Sequence, residues 1–331
     1  MRTKGVLTGA VLLILGGCSG MMTKIAANGT VGVLKKATAA FDEEKDPILA
    51  RAAATANLKF FDGVLKATPE NGDLMVMIAK NYALYSFAFL EDDMEQETYG
   101  SPKYEEAKTR AMDYYRRAMD STIARLEQDF EDFRRAAEGQ GDRLDQILAE
   151  CDEDQLPALY WLAYGWGSLT QLSQDPDLLT DLPKIKKIMG WVRDHDGSYE
   201  NGAPNLFFGA VEMALPKALG GNPEASKAAF DKGVAVTGGK FLMGKALYAR
   251  FYMLPTNDKA GYVKLLTEVV DAPDDVMPSQ RLANELAKMK ARRWLADADK
   301  AFEDAPPEPA PEEPPPEPPV PEPAPGPEGG K

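Results

Sequence analysis

The chain has 331 residues, with 52 acidic side chains against 38 basic ones and a formal net charge of -14. That balance argues against a nucleic-acid partner, because a phosphate backbone demands a basic face. Cys18 and Cys151 are the only cysteines, too few for a disulfide framework or a thiolate zinc site.

Residues 1–17 read as a signal peptide. Arg2 and Lys4 are followed by an apolar run from Val6 to Leu15, then Gly16, Gly17 and Cys18. The apolar run is about ten residues, and a bilayer span needs about twenty, so the segment is a cleavable export signal and not a membrane helix. Leu15-Gly16-Gly17-Cys18 resembles the lipobox of bacterial lipoproteins. The resemblance implies cleavage before Cys18, acylation of its thiol and a tether over residues 18–29. Ser19 in place of Asp implies, by the same likeness, the periplasmic face of the outer membrane in a Gram-negative cell. No later apolar segment approaches spanning length.

From residue 30 to 304 the hydrophobic pattern is helical throughout, with apolar positions recurring at three and four. No stretch alternates at strand length, which predicts an all-α fold. Leu49, Ala52, Ala53, Ala56, Phe60, Val64 and Leu65 form the first predicted stripe. Leu74, Ile78, Tyr82, Tyr85 and Phe89 form the second. Ser101-Pro102 reads as an N-cap and first helical residue opening a long helix to Leu126. Further helices are expected over Leu156–Leu172, Leu182–Val192, Leu206–Leu219, Pro223–Val236, Phe241–Leu254 and Lys259–Val270. Gln280–Phe302 reads as one long closing helix. Short breaks rich in Gly, Pro, Asn and Asp imply stacked antiparallel hairpins, and a spacing of about 34 residues suggests degenerate tetratricopeptide-like repeats. Residues 305–331 hold about half of all prolines, mixed with Glu, Ala and Gly, and predict an acidic disordered tail.

Catalytic arrangements are hard to assemble from these residues, and no cofactor or metal site is expected. His195 is the sole histidine, in a helix-end turn, so neither a catalytic triad nor a His-based zinc site is supported. Asp194, Asp196, Ser198 and Glu200 are too closely spaced for a twelve-residue calcium loop. Glu91-Asp92-Asp93 and Asp274-Asp275 read as solvated acidic loops. Cys151 sits beside Asp152, Glu153 and Asp154, which raise a thiol's pKa and leave it unreactive.

One cluster invites a binding role. Tyr160, Trp161, Tyr164 and Trp166 crowd one helix with Gly165 and Gly167, which allow close approach. Asn205, Phe207 and Phe208 open a later hairpin and are candidates to face them. The cluster is either a crowded helix–helix contact or the wall of an apolar cleft.

The ordered set Ala26-Ala27-Asn28, the run from Tyr82 to Glu91, Tyr160-Trp161-Leu162-Ala163 with Trp166-Gly167, Gly202-Ala203-Pro204 with Gly209, Leu219-Gly220-Gly221-Asn222-Pro223 and Leu247-Tyr248-Ala249-Arg250 resembles the TatT family, the lipoprotein T component associated with TRAP transporters. The resemblance implies a degenerate tetratricopeptide fold and a homotrimer. It also implies association with a TRAP-type periplasmic solute-binding protein, and a cleft or pore passing hydrophobic ligands or organic acids. It implies a non-enzymatic role. A general scaffold lipoprotein for envelope assembly is the alternative that the fold and anchor also suit. Replacing Cys18 by Ser is expected to abolish incorporation of radiolabelled palmitate, while the parent chain takes up label.

Overall fold

A computed structural model describes residues 29, 31–139, 141–215 and 220–303. The signal, Cys18, the tether up to residue 28, Leu219 and the proline-rich tail lie outside the described residues. Those residues form helices joined by turns, with no strand among them.

The helices run in chain order as α1 (31–42), α2 (Pro47–Ala67), α3 (Gly72–Tyr85), α4 (Glu91–Glu95), α5 (Pro102–Leu126), α6 (Phe133–Glu138), α7 (Arg143–Glu150) and α8 (Leu156–Ser173). They continue as α9 (Pro176–Leu179), α10 (Leu182–His195), α11 (Tyr199–Ala214), α12 (Pro223–Val236), α13 (Leu242–Tyr248), α14 (Lys259–Asp271), α15 (Arg281–Ala296) and α16 (Ala298–Glu303). The starts are chemically marked. Ser101 accepts a hydrogen bond from the Tyr104 amide at 3.2 Å, Asn222 from Ala225 at 3.0 Å and Asp258 from Gly261 at 2.8 Å. Each satisfies an amide that the first helical turn leaves without a partner. Pro102 and Pro223 at the first helical positions lack only a donor that would be unused there.

Several expectations are corrected. The stripe assigned to α2 is only partly right: Val64 and Leu65 pack against the core, but the buried positions are Ala50, Ala54, Leu58 and Phe61, whereas Leu49 and Phe60 stay about half exposed. Burial of small residues where α2 packs on α3, and not side-chain size, sets this face. The closing helix is not continuous, breaking at Asp297 between α15 and α16. Helices α1, α6, α7 and α9 are not marked by the sequence pattern. The helix expected over Leu206–Leu219 ends at Ala214 and starts earlier, at Tyr199, through a left-handed kink. Glu200 (φ 45°), Asn201 (φ 64°) and Gly202 (φ 88°) turn the chain there. At Gly202 a side chain would meet the Gly233 carbonyl at 2.6 Å, so only glycine lets α11 and α12 approach this closely.

Two helices widen into π turns. Ala83-Leu84-Tyr85 ends α3 and leads into the π turn Ser86–Leu90; Ala246-Leu247-Tyr248 ends α13 and leads into the π turn Ala249–Met253. The same tripeptide thus precedes both.

Successive helices pack side by side: α3 on α2, α5 on α3, α8 on α5, α10 on α8, and α12 on α11. Helix α15 packs on α13 and α14 and then reaches back to α2, so the array closes on its own beginning. An ion cluster accompanies the closure. Lys290 Nζ lies 2.9 Å from Asp92 and 3.6 Å from Glu95, and Arg293 lies 2.8 Å from Asp92 and 2.6 Å from Glu95. Trp294 Nε1 donates to Glu95 at 3.1 Å. The Lys290 side chain keeps only 3% of its exposure.

Removing one partner of a buried ion pair strands the other, which costs about 3 kcal/mol or more. Asp92→Ala is therefore expected to lower the unfolding free energy by roughly that amount in urea denaturation. Lys227→Ala breaks a pair whose side chains are half exposed and should cost roughly 0.5 kcal/mol or less.

Candidate functional site

The closed array surrounds a cavity of about 390 Å³. That is within the range of about 300–1,000 Å³ usual for small-molecule sites. Its wall is mostly apolar and assembled from both halves of the chain. Helix α8 contributes Tyr160, Trp161, Tyr164, Gly167, Ser168 and Gln171, positions one helical stripe apart. Helix α11 contributes a matching stripe through Ala203, Leu206, Phe207, Ala210, Val211 and Ala214. The first π turn adds Phe87, Ala88 and Phe89, and the second adds Phe251. Phe41 and Asp42 of α1 and Leu282 and Leu286 of α15 complete it.

Of the candidate residues, Tyr160, Trp161, Tyr164 and Phe207 stand on this wall. Tyr160 and Trp161 meet edge to face at 4.8 Å, and Trp161 and Tyr164 at 5.5 Å. Gly167 makes room for Phe207, whose ring a side chain there would meet at 2.8 Å. Trp166, Asn205 and Phe208 are buried but do not line the cavity. The helical period is the reason. Trp166 is five residues from Trp161, and Phe208 is one residue past Phe207, so each turns to another face. Asn205 instead donates to the Gly197 carbonyl at 2.7 Å, and Phe208 packs under the Arg193 guanidinium at 4.2 Å.

The polar wall residues carry no signal in the sequence. Glu91-Asp92-Asp93 is no solvated loop but the first turn of α4, and its three carboxyls diverge. Asp93 forms a two-pronged pair with Arg51 at 2.8 and 2.5 Å. Asp92 joins the closing cluster, and Glu91 faces the cavity. Its Oε1 accepts from the Tyr115 hydroxyl. Burial pushes the Glu91 carboxyl up to about 7; the Tyr115 hydrogen bond and Lys290 oppose that rise, and Glu95 adds to it. Burial likewise raises the Tyr164 and Tyr160 phenols far above their usual range.

A second polar group lies elsewhere on the same wall. Lys80 pairs with Glu200 at 2.8 Å and lies 5.8 Å from the Trp161 ring. Asp42 is nearby, its carboxyl raised by burial, with Lys80 opposing and Glu200 reinforcing the shift. The left-handed kink at Glu200 and Asn201 is what brings both onto the wall. The buried Trp161 Nε1 has no hydrogen bond of normal geometry. It does lie near enough to the Tyr199 hydroxyl to work against the rise that burial imposes on that phenol.

The residues set aside as chemistry stay apart from the cavity. His195 stacks on Trp191 at 3.7 Å, and its Nδ1 is 2.8 Å from the Trp191 carbonyl. Cys151 is half-buried, and burial first, then Asp129 and Asp152, pushes its thiol up to about 11. No group of three or more His, Cys, Asp and Glu side chains suited to a metal occurs among the described residues. Another hollow, between the turn 68–73 and the end of α5, is larger at about 460 Å³, but its exposed lining is mostly polar and it lacks the enclosing aromatic wall.

Fold and site together define an all-helical protein wound around an apolar cavity with a few polar wall groups. The chain belongs to the TRAP transporter T-component family, whose model matches residues 43–302. It is similar to a protein of Treponema pallidum (strain Nichols) named "Uncharacterized protein", 25% identical over 268 residues, which cover 78% of this chain and 80% of that one. Membership makes the chain an accessory of TRAP-type transport. No described helix is long and apolar enough to cross a membrane.

The Glu91 carboxyl titrates in the folded state above its ordinary value of 4.5. The protonated form is therefore favoured by folding, and the associated stability is full below about pH 4.5 and is lost as pH rises through about 7. Glu91→Gln, an isostere of the protonated acid, is expected to remove roughly 3 kcal/mol of this pH dependence. Urea midpoints of both proteins at pH 5 and pH 8 measure it.

Proposed function

We propose that this T component holds a small apolar ligand in its central cavity and passes it to a TRAP-type periplasmic solute-binding protein. The enclosed aromatic wall built from α8, α11 and the two π turns carries this reading. A cavity of this size costs packing energy, and an apolar ligand is what offsets that cost. Binding without conversion is part of the proposal. Lys80 is tied to Glu200, Glu91 to Tyr115, and His195 stands away from the wall, so among the described residues no nucleophile–base pair faces a substrate.

The remaining assignments belong to the same proposal. Residues 1–17 are the signal, 18–29 the tether from a lipidated Cys18, 30–304 the helical domain and 305–331 an acidic spacer tail. The domain is a degenerate tetratricopeptide-like array, supported by the side-by-side order of its helices. It works as a homotrimer on the periplasmic face of the outer membrane. Tyr160, Trp161, Tyr164 and Phe207 touch the ligand. Trp166, Asn205 and Phe208 hold the wall residues in place from behind.

Ala210→Trp places an indole in the cavity from α11. Organic extraction of the purified full chain followed by mass spectrometry is expected to recover an apolar compound from the parent. Recovery from Ala210→Trp should fall at least about tenfold, and co-purification of a solute-binding protein should persist in both. If parent and variant both come out empty, ligand holding is refuted. If neither retains a solute-binding protein, the partnership is.

A further inference from the structure

The cavity wall carries charge in an informative arrangement. Its acids are Asp42, Glu91 and Glu200, and among the described residues Lys80 is its one base. That base is already matched by Glu200 at 2.8 Å. An entering carboxylate would find no cation free to receive it. It would instead meet acids inside a low-dielectric enclosure, where an unpaired charge is costly.

A cation is not favoured beside Glu91 either, because pairing with it requires the ionised carboxyl that burial disfavours. The groups facing Glu91 are Tyr115 on α5, Tyr164 on α8, Glu95 on α4 and Lys290 on α15, with Ser168 bound into the Tyr115 and Tyr164 hydroxyls. Lys290 is held 5.7 Å from the ring of Phe87, itself a wall residue, with its charge matched by Asp92 and Glu95. A protonated Glu91, by contrast, offers one O–H donor and one carbonyl acceptor. Trp161, in ring contact with Tyr164, keeps its N–H for the Tyr199 hydroxyl.

We propose that the ligand is an uncharged amphiphile, an apolar chain ending in a hydroxyl, carbonyl or ester, whose oxygen is received by Glu91, and that its binding fixes the proton on Glu91. Free carboxylates and quaternary ammonium amphiphiles are turned away. The chemistry is straightforward. Seating an apolar body against Glu91 displaces the water that solvates its ionised form. Ligand and proton therefore bind together, and a rise in pH releases both. Burial already holds the carboxyl near neutrality, up to about 7, which puts this coupling within reach of ordinary pH.

This inference rests on the cavity being a ligand site, and the test separates the two. The full chain, stripped of extractable lipid, is titrated calorimetrically with decan-1-ol, decanoate and decyltrimethylammonium at pH 6. The alcohol is expected to bind at least about tenfold more tightly than either ion. Equal or tighter binding of an ion overturns the inference and leaves the cavity a ligand site. Absence of binding by all three overturns both.

Between pH 6 and pH 8 the affinity for the alcohol is expected to fall about tenfold, as a carboxyl titrating near 7 requires. Glu91→Gln is expected to bind the alcohol as the parent does at pH 6 and to show no such fall. A parent with a flat profile, or a variant with the parent's slope, refutes the proton coupling. A folded Glu91→Gln chain that no longer binds the alcohol at pH 6 refutes the role of Glu91 as a neutral donor.

Discussion

The contact between α15 and α4 decides whether this chain has an interior. Helices laid side by side make an open array unless the last meets the first. Here Lys290 and Arg293 reach Asp92 and Glu95 across about two hundred residues of sequence. An ion cluster of this kind adds little net stability over an apolar contact of equal volume. Its effect is selective: any arrangement that buries Lys290 without its carboxylates is heavily penalised. The closure also places Phe87, beside Lys290, on the cavity wall. The boundary of the cavity and the seam of the array are thus the same structure.

The two π turns serve that boundary. A regular helix presents only a stripe to one side, roughly half of its residues. From Leu84 to Glu91, six of eight residues reach the wall: Leu84, Tyr85, Phe87, Ala88, Phe89 and Glu91. A widened turn spreads the side chains over a broader arc, and π turns are frequent where helices line functional sites. The second, after Ala246-Leu247-Tyr248, brings Phe251 to the wall from the other half of the chain. Tyrosine hydroxyls are held alike in the two regions, Tyr82 by Asp62 at 2.8 Å and Tyr248 by Asp231 at 3.0 Å.

The polar groups on the wall explain how an acidic protein keeps an apolar interior. Most of its acids lie outside, in water. Of those that turn inward, Glu200 is paired with Lys80, and burial shifts Glu91 and Asp42 toward their neutral forms, Glu91 beside the Tyr115 hydroxyl. The left-handed geometry at Glu200 and Asn201 is strained for residues other than glycine. It persists because Gly202 docks α11 against α12 and the Lys80 pair fixes the side chain from α3.

What the sequence determined by itself was local. Period-three-and-four patterns, Ser101-Pro102, Asn222-Pro223 and the Gly-Pro-Asn breaks name most helices and their starts, because caps and amphipathic spacing act within a few residues. The family and the aromatic crowding at Tyr160, Trp161 and Tyr164 are legible for the same reason. Tertiary structure alone decided which side of α2 faces inward, since Ala50 and Ala54 are buried by what packs on them and not by their own hydrophobicity. It also decided that Glu91, Asp92 and Asp93 part company, because successive helical residues point about 100° apart and three different helices wait to receive them. Lys80 and Glu200 are 120 positions apart, so no spacing in the chain could announce their pairing. A cavity exists only once both ends of the array have met, and that meeting is a property of the whole fold.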